Sequence, residues 1–216
     1  MNTEKVRQQM VEQQVRTWDV SDASVLDTIA EVPRDHYVPQ EFADCAYADI
    51  EIPLPHDQCM LRPSIVGKIL QAVDIHAGDE VLEIGTGTGY LSHCMAKTAA
   101  SVMSIDIYDD FTANARSKLE EEAVDNVELH CMDAMRELPP GEFDAIIVTG
   151  AMHTFDQRFA DALKSGGRLF VVVGKSPVMT ATLVNRTYNG ELTARELFET
   201  DIPALVMAAE RPAFLF

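Results

Sequence analysis

The residues whose spacing can do chemistry lie in one run and at two later positions. The run is Val81-Leu82-Glu83-Ile84-Gly85-Thr86-Gly87-Thr88-Gly89-Tyr90, an acid followed by glycines at alternate positions. Glycines just after an apolar strand let the backbone approach a ligand and adopt dihedrals that a Cβ forbids. Asp106 follows Gly85 by 21 residues, a place from which an acid can accept hydrogen bonds from two ribose hydroxyls. Asp133 can accept from an adenine amino group while the N–H of Ala134 donates to the ring. Taken singly, either aspartate reads equally well as a solvated loop acid or a helix cap. Taken with the glycine run, they read as an adenosine site.

The glycine spacing narrows the ligand. A dinucleotide fingerprint is G-x-G-x-x-G, with its third glycine one position later, and no Gly-Lys-Ser/Thr follows for a nucleoside triphosphate. S-adenosylmethionine carries no phosphate. Its methionine tail is a zwitterion, and Glu83 could receive the ammonium directly or through water. Thr86, Tyr90, Ile107 and Thr149 flank these positions and complete the expected cofactor contacts.

These residues need a scaffold that brings strand ends together. From residue 79 onward short apolar strands alternate with helices: strands over 80–84, 101–106, 126–132, 143–149 and 168–173, helices over 90–98, 109–121 and 156–164. Gly166-Gly167 is read as the stop of the last helix. The alternation predicts an α/β fold, a doubly wound and mostly parallel sheet with both faces covered and ligands bound at the carboxyl ends of its strands. Residues 180–187 and 191–199 are β-prone around Asn189-Gly190, a type I′ turn signal, and predict a terminal antiparallel hairpin. The first 75 residues lack the alternation. They read as a helical cap, with helices over 4–16, 22–32 and 65–74, Ser21 and Ser64 as N-caps, and an irregular proline-containing segment over 47–63. The expectation is one domain over 1–216, a cap and substrate loop over 1–75 and a cofactor-binding sheet over 76–216.

Composition bounds the partners. The chain has 216 residues, 47% of them hydrophobic and 24% charged, with a net charge of −18. Such an acidic surface repels phosphate backbones, so nucleic acid is not expected as a partner. Cys45, Cys59, Cys94 and Cys131 form no C-x-x-C pair, so no metal site is expected and the thiols are read as reduced. Residues 1–15 are polar, and no apolar run approaches the roughly 18 residues of a membrane span. The cytoplasm is the expected compartment, with no membrane partner; oligomeric state is not legible.

The chain resembles class I S-adenosylmethionine-dependent methyltransferases, and more closely the protein-L-isoaspartate O-methyltransferase family. The resemblance is carried by Val32-Pro33-Arg34 with Tyr37-Val38-Pro39, Ala46-Tyr47, Pro53, Gln58, Pro63, the glycine run, Asp133, the stretch from Phe143 to Thr149, Leu163-Lys164 and Gly166-Gly167-Arg168-Leu169. The Val-Pro-Arg segment, placed before the sheet, is what singles out this family. The resemblance implies a seven-stranded sheet in the class I order with a reversed last strand. It also implies the cofactor roles given above for Glu83, Gly85, Gly87, Asp106, Asp133 and Ala134. The loop before the sheet departs from the family: where the family has Thr-Ile-Ser-Gln-Pro, this chain has Cys59-Met60-Leu61-Arg62-Pro63, and Leu61 replaces a functional Ser. After Thr149 the family has two alanines; here Gly150-Ala151 leads to Met152-His153.

Residues 57–63 are therefore the candidate substrate loop. Arg62 could pair with a substrate carboxylate bidentately, or be a surface charge. Cys59 could donate weakly or simply pack. His56 and His153 could serve as bases were the acceptor a hydroxyl. Three functions fit: methylation of L-isoaspartyl carboxylates in damaged proteins or peptides, methylation of another carboxylate or hydroxyl on a small molecule, or non-catalytic binding of S-adenosylmethionine.

Overall fold

The structure, a computed structural model, describes residues 3–206 and residue 208. It opens with α1 (Thr3–Met10), which continues through one π-helical and one 3-10 turn to Trp18. Helix α2 (Ala23–Glu31) follows, capped by Asp22, whose Oδ1 accepts from the N–H groups of Ser24 (2.8 Å) and Val25 (3.2 Å). Ser21, the cap expected from sequence, instead donates its N–H to Gln71 Oε1 at 2.7 Å. A short α3 (Arg34–Tyr37) comes next. The segment read as irregular contains a hairpin, β1 (Ile52–Leu54) with β2 (Gln58–Met60), paired Ile52 to Met60 and Leu54 to Gln58. Its turn places His56 and Asp57 at φ of 61° and 55° without any glycine.

Helix α4 (Pro63–Val73) starts at proline, whose missing N–H costs nothing in the first turn. Ser64 does not cap it: the cap position is Arg62, and Ser64 N–H donates to the Asp49 carboxylate at 2.9 Å. The apolar stripe of α4, Ile65, Val66, Ile69, Leu70 and Val73, is buried as expected.

The main sheet holds β3 (Glu80–Ile84), β4 (Ser101–Asp106), β5 (Val127–Cys131), β6 (Phe143–Met152), β7 (Leu163–Lys175), β8 (Val178–Arg186) and β9 (Leu192–Thr200). Their spatial order is β5-β4-β3-β6-β7-β8-β9, parallel from β5 to β7. Strands β7, β8 and β9 then form an antiparallel meander, so the reversed strand is β8, the last but one in the chain. At the β8–β9 turn only Gly190 takes positive φ (83°), and its N–H donates to Thr187 O, so the turn is not the I′ form expected for Asn189-Gly190.

Helices α5 (Tyr90–Ala96) and α6 (Asp109–Glu121) cross between the first three strands, and α7 (Gln157–Asp161) precedes β7. Helix α7 is shorter than its sequence pattern. Lys164 already belongs to β7, where its ammonium reaches Glu80 (2.6 Å) and Asp144 (2.8 Å), and Gly166-Gly167 lies inside the strand. Helices alone bury each face in alternation. Val81, Val102, Ala145 and Ile147 pack with α4, α5 and the cap. Leu82, Ile84, Ile105, Ile146 and Val148 pack with α7 and residues 134–138. Alternation along β3 therefore turns the Glu83 carboxyl toward α5. Among the described residues, no helix is long and apolar enough to cross a membrane.

The cap joins α4 at Gly67, where an added Cβ would lie 2.9 Å from Val15 Cγ1 and 3.0 Å from Val20 Cγ2. Ala is the better helix former by about 1 kcal/mol, but overpacking costs about 1–3 kcal/mol. Gly67→Ala is expected to lower the melting temperature; a rise would show that the cap yields freely at this contact.

Candidate active site

The loop after β3 is fixed from below. Gly85 (φ 98°) donates its N–H to Ile105 O at 2.8 Å, and a Cβ there would collide with Thr149 Oγ1. That hydroxyl lies 2.9 Å from both Ile84 O and Gly85 O, tying the end of β6 to the end of β3. Gly87 (φ 52°) donates its N–H to Asp106 Oδ2 at 2.9 Å. Gly89 (φ 85°) begins α5 so close to α6 that a Cβ would lie 2.9 Å from Ala115 Cβ. All three glycines hold left-handed backbone, where a side chain is strained.

Glu83 lies under this loop with 0% exposure. Ser104, its register partner on β4, donates to Oε2 at 2.6 Å, and Ser92 Oγ of α5 donates to the same oxygen. Because the Ser104 proton is used there, Thr86 Oγ1 donates to Ser104 Oγ, at 2.6 Å. Oε1 is buried with no protein partner. Burial pushes the Glu83 carboxyl up to about 7, against the pull of Ser104 and Ser92. A buried acceptor without a donor costs about 1–3 kcal/mol, so this oxygen is built for a partner from outside the chain.

Asp106 is 7% exposed and holds the Gly87 N–H on Oδ2 and the Tyr108 N–H on Oδ1 (3.0 Å), leaving acceptor capacity on both oxygens. Burial raises its pKa. Asp133 caps its own turn, accepting from the Met135 N–H at 2.9 Å, and also lines the cleft. The capping and site readings of this residue are thus both met.

Glu83, Gly85, Thr86, Gly87, Tyr90, Asp106, Ile107, Asp133, Ala134 and Thr149 line one cleft with Cys59 and Leu61. Its empty volume, counted out to solvent, is about 950 Å³, in the size range of small-molecule pockets. Gly89 is not on the wall and acts through the packing of α5. The Tyr90 hydroxyl is buried without a partner, and its ring lies 5.1 Å under the Arg34 guanidinium. Arg62 is not brought to the wall: its Nη2 pairs with Glu51 Oε1 at 2.9 Å. Cys59 is on the wall as a thiol, its pKa pushed up to about 12 by burial and by Glu51. Neither His56 nor His153 lines the cleft. His56 stacks on Tyr108 at 3.9 Å between ring centroids and bonds Asp110 at 3.0 Å, which clasps the β1–β2 hairpin to the start of α6. Among the described lining residues the charged ones are Glu83, Asp106 and Asp133; none is Lys, Arg or His.

Sequence reasoning missed several contributors. Ser92 and Ser104 could have been flagged as polar residues inside apolar stretches. Arg34 was known only as part of a motif. It is wholly buried, with Nε donating to Ala46 O and Nη2 to Leu61 O, both at 3.0 Å, so it holds the substrate loop by its backbone. Pro203, Leu205 and Val206 line the cleft and had no signal at all.

A parallel sheet with a glycine loop and acids at successive strand ends is the architecture of a class I methyltransferase. The model of the family described as protein-L-isoaspartate(D-aspartate) O-methyltransferase matches residues 4–207. The chain belongs to that family. It is 36% identical over 169 residues to a protein-L-isoaspartate O-methyltransferase of Methanoculleus marisnigri, covering 78% of this chain and 77% of that one. The protein of the same name from Gloeobacter violaceus is 36% identical over 183 residues, covering 84% and 89%. The fold is also that of a crystal structure from Plasmodium falciparum, a putative member in complex with S-adenosyl-L-homocysteine. That match has a TM-score of 0.79, 18% identity and coverage of 92% and 97%.

The Glu83 shift has a sign that can be measured. A carboxyl whose pKa rises from 4.5 to about 7 on folding is neutral in both states below 4.5 and ionised in both above 7. Its burial cost therefore appears as pH rises through that window, on the order of 2–3 kcal/mol. Buried His93, held down at about 4, works in the opposite direction, so the comparison must be between variants. Without ligand, Glu83→Gln should melt close to wild type at pH 5 and several degrees above it at pH 8. A melting difference that stays constant across the range would contradict the assignment.

Proposed function

We propose that this protein transfers a methyl group from S-adenosylmethionine to the side-chain carboxylate of L-isoaspartyl residues in damaged proteins or peptides. The observation that carries the reading is the half-satisfied Glu83 carboxylate beneath the glycine loop, in a chain of this family. Glu83 Oε1 is the acceptor for the cofactor's ammonium. Asp106 takes the ribose hydroxyls with its spare lone pairs, and Asp133 with the Ala134 N–H takes the adenine edge. Thr86, Gly85, Gly87, Ile107 and Thr149 form the wall against which the cofactor lies. When bound, S-adenosylmethionine supplies an electrophilic methyl on a sulfonium.

The acceptor carboxylate is already ionised near pH 7, so no residue has to remove a proton. The work left to the chain is positioning and exclusion of water. Arg34 fixes the loop through Leu61 O, and the hairpin clasped by His56 covers the cleft. Gln58, Thr88 and the Cys59 thiol are neutral donors on the wall that can meet the acceptor, in place of the side-chain hydroxyl that Leu61 lacks. A second reading, methylation of a different acceptor, is favoured by Leu61 itself. A hydroxyl acceptor would need a base, and the histidines lie off the wall, so within this reading a carboxylate remains the better acceptor.

Purified protein is expected to methylate an isoaspartyl peptide and to leave its normal aspartyl twin unmodified, giving a base-labile ester. No turnover of either peptide, with cofactor binding intact by calorimetry, would transfer support to the second reading. Asp106→Ala should weaken cofactor binding about 10- to 100-fold, the worth of hydrogen bonds to a charged group at about 1.5–3 kcal/mol; unchanged affinity would remove Asp106 from the site.

A further inference from the structure

The far end of the cleft is built by a segment remote in sequence. Ala151 of β6 donates its N–H to Pro203 O at 2.9 Å and accepts from Leu205 N–H at 2.8 Å, forming a parallel bridge with Ala204. This strap lowers Leu205 onto Gly150. A Cβ at position 150 would lie 2.8 Å from Leu205 Cδ2 and 3.1 Å from Leu205 N, so glycine there supplies space. Pro203, Leu205 and Val206 join Leu54, Met60 and Leu61 on the cleft wall. Met60 and Leu61 are buried, and the other four are partly exposed and still open to contact. The charged groups of the described wall, Glu83, Asp106 and Asp133, all belong to the strand ends of the cofactor half.

We propose that Leu205, seated by Gly150, is a specificity-determining residue which with Leu61 receives an apolar side chain neighbouring the isoaspartyl residue of the substrate. The inference rests on the isoaspartyl reading above. An apolar neighbour would cover partly exposed leucine surface and release its water. An acidic neighbour would be desolvated against that surface, would find no cation on the described wall, and would approach a chain of net charge −18. Contacts of this kind are worth roughly 10- to 200-fold in discrimination per apolar group.

The test uses two peptides with the same isoaspartyl centre, one flanked by leucine and one by glutamate. Wild type is expected to show kcat/KM about tenfold or more higher for the leucine-flanked peptide, chiefly through KM. Leu205→Ser should reduce the ratio to about threefold or less, and Leu205→Met, which keeps an apolar contact, should retain it. Equal kcat/KM for the two peptides in wild type, or a ratio unchanged in Leu205→Ser, would overturn the proposal while leaving isoaspartyl methylation standing. Failure of wild type to methylate either peptide would remove both. The wild-type comparison decides the preference by itself, so it holds even if Leu205→Ser does not fold.

Discussion

A carboxylate buried at the centre of the sheet and satisfied on only one oxygen is the constraint around which this protein is arranged. Two serines hold Glu83 Oε2, one from the neighbouring strand and one from the helix that the glycine loop begins. The position of Ser92 depends on where α5 starts, and that depends on Gly89 approaching Ala115. Ser104 in turn carries Thr86 of the loop. The loop, the strand and the helix therefore share one polar network, and a network of this kind is stable only when its members are all satisfied. The open oxygen is the exception, and exceptions of this kind are where function resides.

The same economy governs the acceptor side. It holds no charged group on its described wall, and its parts come from three places: the hairpin, the segment 59–61 and the strap at 203–206. Each is pinned by contacts outside the cleft. His56 on Tyr108 and Asp110 holds the hairpin, Arg34 holds Leu61 by its carbonyl, and Ala151 holds the strap. Pinning from outside leaves the inner surface free to be apolar. On the proposed reading, that surface excludes water around a carboxylate whose charge is already in place.

How much of this was legible in the sequence follows from the signals involved. Strands β3 and β4 and helix α6 fell within the bounds read from their apolar patterns, because short runs between glycine, serine and aspartate punctuation leave little freedom. The β1–β2 hairpin was hidden by Pro53 and Pro55, which argue against strands, and by a turn that uses His56 and Asp57 where glycine is the usual marker. Helix α7 ended early because Lys164 gains two carboxylates by joining β7. At the site, Glu83, Asp106 and Asp133 were readable because a strand end is a fixed address. Arg62 was not, since its partner Glu51 is an ordinary acid with no spacing rule. Ser104 became visible as a partner only once the register set it opposite Glu83. The strap has neither period nor motif, and only tertiary structure could bring Leu205 to Gly150.

The central claim, that Glu83 is held half-satisfied for the charged tail of the cofactor, is open to direct titration. Carboxyl carbon chemical shifts of labelled glutamate, assigned with Glu83→Gln, would follow this group from pH 5 to 9 with and without S-adenosylhomocysteine, which keeps the same amino-acid tail. The expected result is a midpoint near 7 in the free protein, moving well below 6 when the ligand's ammonium supplies the missing partner. A free midpoint near the ordinary glutamate value, or one that the ligand does not move, would contradict the account.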